Sequence, residues 1–216
     1  IMEIKGVLFD CDGCLLDSEF IYLNSLVEFF DSIGIKTTLE DVVFVVGKPN
    51  PVILQDLLAK FNLYDRFTVD ELNDGINKVF DNRFDNAVLS PMPHLIDLLK
   101  LIKNKDIKVA VVSSSSNSYL VDVMKRIGIS EYVDLLIGRE YVTKGKPNPD
   151  IYLLAKDKLN LEKENLIIIE DSVNGIKAGK AADIYTIGYK GSVVKQDTSE
   201  ADRQIDDYQE IFELFN

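Results

Sequence analysis

Val7-Leu8-Phe9-Asp10-Cys11-Asp12-Gly13 is the stretch that decides how this chain folds. Three β-prone residues run straight into carboxylates at i and i+2, and a glycine follows at once. In extended chain, positions i and i+2 point to the same side. The strand end therefore delivers Asp10 and Asp12 into one space, while Gly13 lets the backbone turn away sharply. Neighbouring carboxylates repel, and both stay ionised only when a cation joins them. The pattern points to a metal site in which one carboxylate is a nucleophile and the other exchanges protons.

Working outward, residues 5–10, 107–113, 134–138, 166–170 and 184–188 read as short apolar strands. Helical stretches lie between them at 94–104, 117–128, 149–159 and 173–182. Such alternation predicts an α/β fold, a Rossmann-like parallel sheet covered by helices on both faces. One interval breaks the rhythm. Residues 17–33, with Phe20, Leu23, Leu26, Val27 and Phe30 on one stripe, and then 51–61 and 69–85 carry helical periodicity. Pro91 and Pro93 mark the return. The expected organisation is an α/β core from 1–16 and 89–216, interrupted by an inserted α-helical domain at 17–88. The stretch 192–207 is polar and reads as loop, ahead of a short terminal helix at 208–214.

The chain has 216 residues, 46% hydrophobic and 28% charged, ordinary for a globular protein. Its net charge of −12 argues against nucleic acid or an anionic membrane as partner. An anionic ligand must then meet local positive charge, from a metal or a well-placed lysine. No apolar run approaches the ~20 residues of a membrane span. The N-terminus leads directly into a strand with no signal-peptide pattern, so the expected compartment is cytoplasmic, and Ile1 ahead of Met2 reads as an addition. Cys11 and Cys14 have C-x-x-C spacing, but Asp12 and Gly13 between them are already needed by the carboxylate site. Two free thiols in a reducing compartment is the better reading. His94 is the single histidine, which excludes a multi-histidine metal site; beside Pro93 it reads as structural and not as the base of a Ser-His-Asp triad.

Open parallel sheets bind ligands beyond the carboxyl ends of their strands. Here those ends are polar. The second predicted strand runs into Ser113-Ser114-Ser115-Ser116-Asn117, the fourth into Glu170-Asp171-Ser172, and Lys146 sits in Gly145-Lys146-Pro147-Asn148-Pro149-Asp150. Singly, a serine turn is a helix cap, an acidic pair a solvated turn, and a lysine a surface residue. Their order along one chain is harder to obtain by chance.

Through Asp10-x-Asp12-Gly13, Ser113, Lys146 and Glu170-Asp171-Ser172 the sequence resembles the haloacid dehalogenase superfamily over essentially its full length. Asp17-Ser18-Glu19 and the helical insert place it near the β-phosphoglucomutase-like and sugar-phosphatase-like branch. The resemblance implies that Asp10 attacks phosphorus and forms an aspartyl phosphate, and that Asp12 gives and retakes the proton. It implies Mg²⁺ held by Asp10, the Asp12 carbonyl and Asp171, with Glu170 alongside, directly or through water. Lys146 and Ser113 would complete the catalytic set, with Ser114, Asn117 and backbone N–H groups of the turn holding phosphate. An insert at 17–88 would act as a lid, and its loop Val46-Gly47-Lys48-Pro49-Asn50 offers Lys48 and Asn50 to a leaving group; the same loop also reads as a helix start with proline just inside it.

Within the superfamily, dehalogenases lack the second aspartate, and phosphonatases use a cap lysine as a Schiff base. Mutases carry a histidine near the position of Tyr22, and a serine and arginine where Pro49-Asn50 stand here. The expected activity is hydrolysis of small phosphomonoesters, such as sugar or polyol phosphates. A β-phosphoglucomutase-type mutase is the alternative, and a silent binding scaffold would predict losses among the motif residues that are not seen. The expected partner is a small phosphorylated metabolite, with no nucleic acid, membrane or obligate protein partner.

Overall fold

A computed structural model of the chain describes residues 3–48 and 50–216; Ile1, Met2 and Pro49, with the readings that rest on them, lie outside the described residues. The backbone divides into two compact units, one running to Asp17 and resuming with Leu89–Asn216, the other Ser18–Val88.

The larger unit is built on six parallel strands: β1 (Gly6–Phe9), β2 (Lys108–Val112), β3 (Leu135–Ile137), β4 (Leu166–Glu170), β5 (Tyr185–Tyr189) and β6 (Arg203–Ile205). Their spatial order is β3-β2-β1-β4-β5-β6. All four β1 residues are buried, as is all of β4, which is why these strands read as continuous apolar runs without alternation. Each buried Val, Leu or Ile contributes about 1.5–3 kcal/mol of apolar transfer. Helix α7 (Asp150–Leu159) packs Ile151, Tyr152 and Ala155 against Leu8, Ala110, Val112 and Ile168, and α8 (Val173–Ala181) adds Ala178.

Strand order and register gather the polar strand ends. Phe9 pairs with Val111 on one side and with Ile169 on the other. The residues that follow β1, β2 and β4 therefore emerge side by side at one edge, where the order of the chain reverses between β1 and β4.

The smaller unit is helical, with α1 (Ser18–Ser32), the short α2 (Leu39–Val42), α3 (Asn50–Lys60) and α4 (Val69–Asn86). Gly75 lets α4 approach Phe29 of α1, since a Cβ there would fall 2.5 Å from the ring. Thr68 and Glu71 form a reciprocal capping box that starts α4. Tyr22 packs edge-on against Phe80.

One local expectation needs correction. Residues 203–205, inside the stretch read as loop, form β6 and pair with β5. Arg-Gln-Ile offers a single apolar residue, so its pairing is set by the neighbouring edge and by the Asp202 carboxylate, which accepts the Thr186 N–H. The terminal segment Tyr208–Phe215 is a 3-10 helix started by an Asp207 capping box. His94, with φ of 59°, precedes α5 (Leu95–Asn104) and bonds Asp207 through Nδ1 at 2.8 Å, a structural tie. No described helix is long and apolar enough to cross a membrane.

Candidate active site

Asp10 keeps its backbone in the ladder, its N–H donating to Ile169 O at 2.9 Å. Just beyond it the chain folds back on itself: Leu15 N donates to Cys11 O at 2.8 Å and Gly13 N to Leu16 O at 2.9 Å. Gly13 has φ of 79°, and a Cβ there would lie 2.0 Å from Asp171 Oδ2. Only glycine satisfies both conditions. Its absence of side chain brings the Asp12–Gly13 backbone against Asp171.

Lys146 crosses from the segment before α7 to meet this strand end. Its ammonium donates to Asp10 Oδ1 at 2.7 Å, Glu170 Oε1 at 2.6 Å and Val112 O at 3.0 Å. Three acceptors match its three protons. The side chain is 4% exposed and lies 5.0 Å from the Tyr152 ring centroid. Burial works against the ammonium, but Asp10 and Glu170 outweigh it and hold Lys146 protonated well above the usual lysine range. Asp10 moves the other way. Burial first and Glu170 second push it up to about 7, with Lys146 pulling it back.

Glu170 is fully buried and saturated by protein donors. Oε1 accepts from Lys146 and from Tyr152 OH at 2.8 Å. Oε2 accepts from Ser172 N at 3.1 Å and Ser172 Oγ at 2.9 Å. These contacts fill the carboxylate's roughly four lone-pair positions. Gly175 permits the arrangement, because a Cβ there would fall 1.7 Å from Glu170 Oε1.

A different trio forms the candidate metal centre. One ligand atom each from Asp10, Asp171 and Cys14 lies within 4.8 Å of the others, and all three residues are buried. Burial and then Asp171 push the Cys14 thiol well above its usual range, so it is a neutral SH, bonded to Ile169 O at 3.7 Å. Two hard carboxylates with backbone close by fit an oxygen-seeking cation such as Mg²⁺. Both Cys11 and Cys14 are unpaired and buried.

Opposite stands the serine turn after β2. Ser113 is 2% exposed, and its Oγ accepts the Ser115 N–H at 3.0 Å while keeping its own proton to donate. Ser114 is exposed at the turn. Helix α6 (Asn117–Arg126) is capped by Ser116, and its Asn117 N–H is already donated to Glu140 Oε1 at 2.8 Å. The turn, more than the helix start, is left for an anion. Asn117 Oδ1 is buried with no hydrogen-bond partner among the described residues.

Asp12 is gripped by this same turn and helix. Ser115 Oγ donates to Oδ2 at 2.9 Å and Tyr119 OH to Oδ1 at 2.6 Å. Sequence reasoning gave no such role to Ser115 or Tyr119, nor to Tyr152 and Ser172 around Glu170.

Asp10, Asp12, Ser113, Ser114, Lys146, Glu170 and Asp171 all belong to the sheet unit. Lys48 and Asn50 belong to the helical one, where Lys48 pairs with Asp56 at 2.7 Å and Asn50 bonds Asn73 at 3.1 Å.

A family model described as haloacid dehalogenase-like hydrolase matches residues 7–189. The chain is 28% identical over 190 residues to a phosphorylated carbohydrates phosphatase of Thermotoga maritima, covering 85% of this chain and 84% of that one. It is 29% identical over 215 residues to a putative pyrophosphatase PpaX of Clostridium perfringens, covering 98% and 97%. The crystal structure of a putative beta-phosphoglucomutase from Thermotoga maritima superposes with a TM-score of 0.82 at 26% identity, covering 98% of each chain.

Proposed function

Because the chain belongs to the haloacid dehalogenase-like hydrolase family, we propose that it is a Mg²⁺-dependent phosphatase of small phosphomonoesters, sugar or polyol phosphates among them. The observation that carries this reading is the buried Asp10–Lys146–Glu170 contact next to Asp171. It joins a nucleophile, a fixed cation and a second carboxylate at one strand edge. The printed name of the Thermotoga phosphatase supports the carbohydrate class.

In this reading Asp10, Asp171 and the Asp12 carbonyl hold the metal. When bound, Mg²⁺ supplies charge neutralisation at a dianionic phosphate. Lys146 adds a positive charge that Glu170 keeps in place; Glu170, with its lone pairs occupied, serves the lysine and not the metal. Ser113 and the turn carrying Ser114 hold phosphate oxygens. Asp10 attacks phosphorus, the P–O bond to the leaving group breaks, and Asp12 donates its proton to the departing oxygen. Water then attacks the aspartyl phosphate, Asp12 takes its proton, and inorganic phosphate leaves.

The helical unit within 17–88 is proposed as a cap that admits substrate to the core of 1–16 and 89–216, with Lys48 and Asn50 as substrate-facing groups released from Asp56 and Asn73. A mutase remains the second reading, favoured by the printed name of the superposed Thermotoga structure. Tyr22, packed on Phe80 where mutases carry histidine, weighs against it.

The test is phosphate release with Mg²⁺ across sugar, polyol and nucleotide monophosphates and pyrophosphate, with EDTA and Asp10→Asn as controls. Metal-dependent release lost in Asp10→Asn supports a phosphatase. Interconversion of β-glucose 1-phosphate and glucose 6-phosphate, primed by a bisphosphate and without release, would select the mutase.

A further inference from the structure

We infer that Tyr119 and Ser115 are positioning residues that hold the Asp12 carboxyl where it exchanges a proton with the leaving oxygen; the inference rests on the phosphatase reading above. Asp12 lies beyond the end of β1, in the loop that follows. Without partners its short side chain is free to rotate. Two hydroxyls fix it, one on each oxygen, at 2.9 Å and 2.6 Å.

Both come from the element that also carries Ser113. Ser115 is tied to Ser113 through its own N–H, 3.0 Å from Ser113 Oγ. Tyr119 sits in the first turn of α6, and its N–H is held at 3.3 Å by the Ser116 cap. The phosphate-holding turn and the proton-exchanging carboxyl are thereby one mechanical unit. Locating the phosphorus locates Asp12 relative to the departing oxygen.

The choice of hydroxyls also has a chemical reason. An N–H can only donate, so at the oxygen that carries the proton it would face a second donor and could not turn aside. A hydroxyl both donates and accepts. Ser115 and Tyr119 can both donate to the carboxylate; when one oxygen is protonated, the hydroxyl there can rotate its O–H away while the other still donates to the carbonyl oxygen. The same geometry then serves Asp12 before and after it gives up its proton, as both halves of the cycle require.

The experiment is kcat/KM for an alkyl phosphate and for p-nitrophenyl phosphate, measured on wild type, Tyr119→Phe and Ser115→Ala, with Asp10→Asn as control. kcat/KM reports events up to phosphoenzyme formation. An alkoxide needs the proton from Asp12, while nitrophenolate departs without it. General acid catalysis typically contributes 10²–10⁴-fold, so partial loss of position should lower the alkyl value about tenfold or more in Tyr119→Phe. The p-nitrophenyl value should change less than about threefold, that leaving group being insensitive to the acid. Ser115→Ala should show the same selectivity, and thermal melts establish that each variant is folded.

Equal losses on both substrates would mean a merely structural role and overturn the inference. So would unchanged or faster alkyl turnover, which would mean that the hydroxyls hold Asp12 out of action. Absence of Asp10-dependent release by the wild type would instead overturn the phosphatase reading, and this inference with it.

Discussion

Replacing Lys146 with Met keeps the length of the side chain and removes the positive charge held between two buried carboxylates. The ammonium is 2.7 Å from Asp10 and 2.6 Å from Glu170, with side-chain exposures of 4%, 10% and 0%. At an effective dielectric of about 20, a unit pair 4 Å apart is worth about 4 kcal/mol. Relief of the lysine's own burial offsets part of that. Breaking a buried pair by removing one partner typically costs about 3–5 kcal/mol, and that is the loss expected for metal-free protein at pH 8. The loss should depend on pH. Asp10 is already raised from 3.8 to about 7 with the lysine present. A raised carboxyl contributes stability that is fully present below its unfolded value and is lost as pH rises through its folded value. Without Lys146 the Asp10 value moves higher still, so wild type and variant diverge mainly above about pH 7, where Asp10 ionises in the wild type and stays protonated in the variant, by up to about 1.4 kcal/mol per pH unit. Urea unfolding in EDTA at pH 5 and pH 8 measures both numbers. A loss at pH 8 below about 1 kcal/mol, or one of equal size at both pH values, refutes the electrostatic account.

Two further substitutions probe other parts of the site. Asp12→Asn should leave the melting temperature near that of the wild type, because Asn still accepts one hydroxyl through its carbonyl. Alkyl phosphate turnover should drop by about 10²–10⁴-fold, and near-normal turnover would remove Asp12 from proton transfer. Gly13→Ala forces a Cβ into φ of 79° at 2.0 Å from Asp171 Oδ2. The left-handed strain alone is worth about 1–2 kcal/mol. Displaced Asp171 should also weaken Mg²⁺ binding in isothermal titration, and unaltered Mg²⁺ affinity would argue that Asp171 is not a ligand.

Several features were readable because their information is local. The apolar runs of β1, β2 and β4 follow from a parallel sheet buried on both faces. Gly13 follows from a strand that must turn at once. β6 escaped because Arg203-Gln204-Ile205 carries no alternation, and its pairing partner lies elsewhere in the chain. Glu170 illustrates the other kind of limit. An acidic pair after a strand looks like two equivalent ligands, yet Glu170 and Asp171 face different neighbours. Lys146, Tyr152 and Ser172 fill the oxygens of the first. Asp10, Cys14 and the Gly13 backbone surround the second.

By itself, then, the sequence determined the parallel α/β sheet and the chemical types at its strand ends, since hydrophobic period and residue order are properties of neighbours along the chain. Tertiary structure alone decided which oxygen meets which donor: Tyr119 on Asp12 across 107 residues and Lys146 on Asp10 across 136. Side-chain partners at such separations are set by strand order and helix packing, to which no short window of sequence has access.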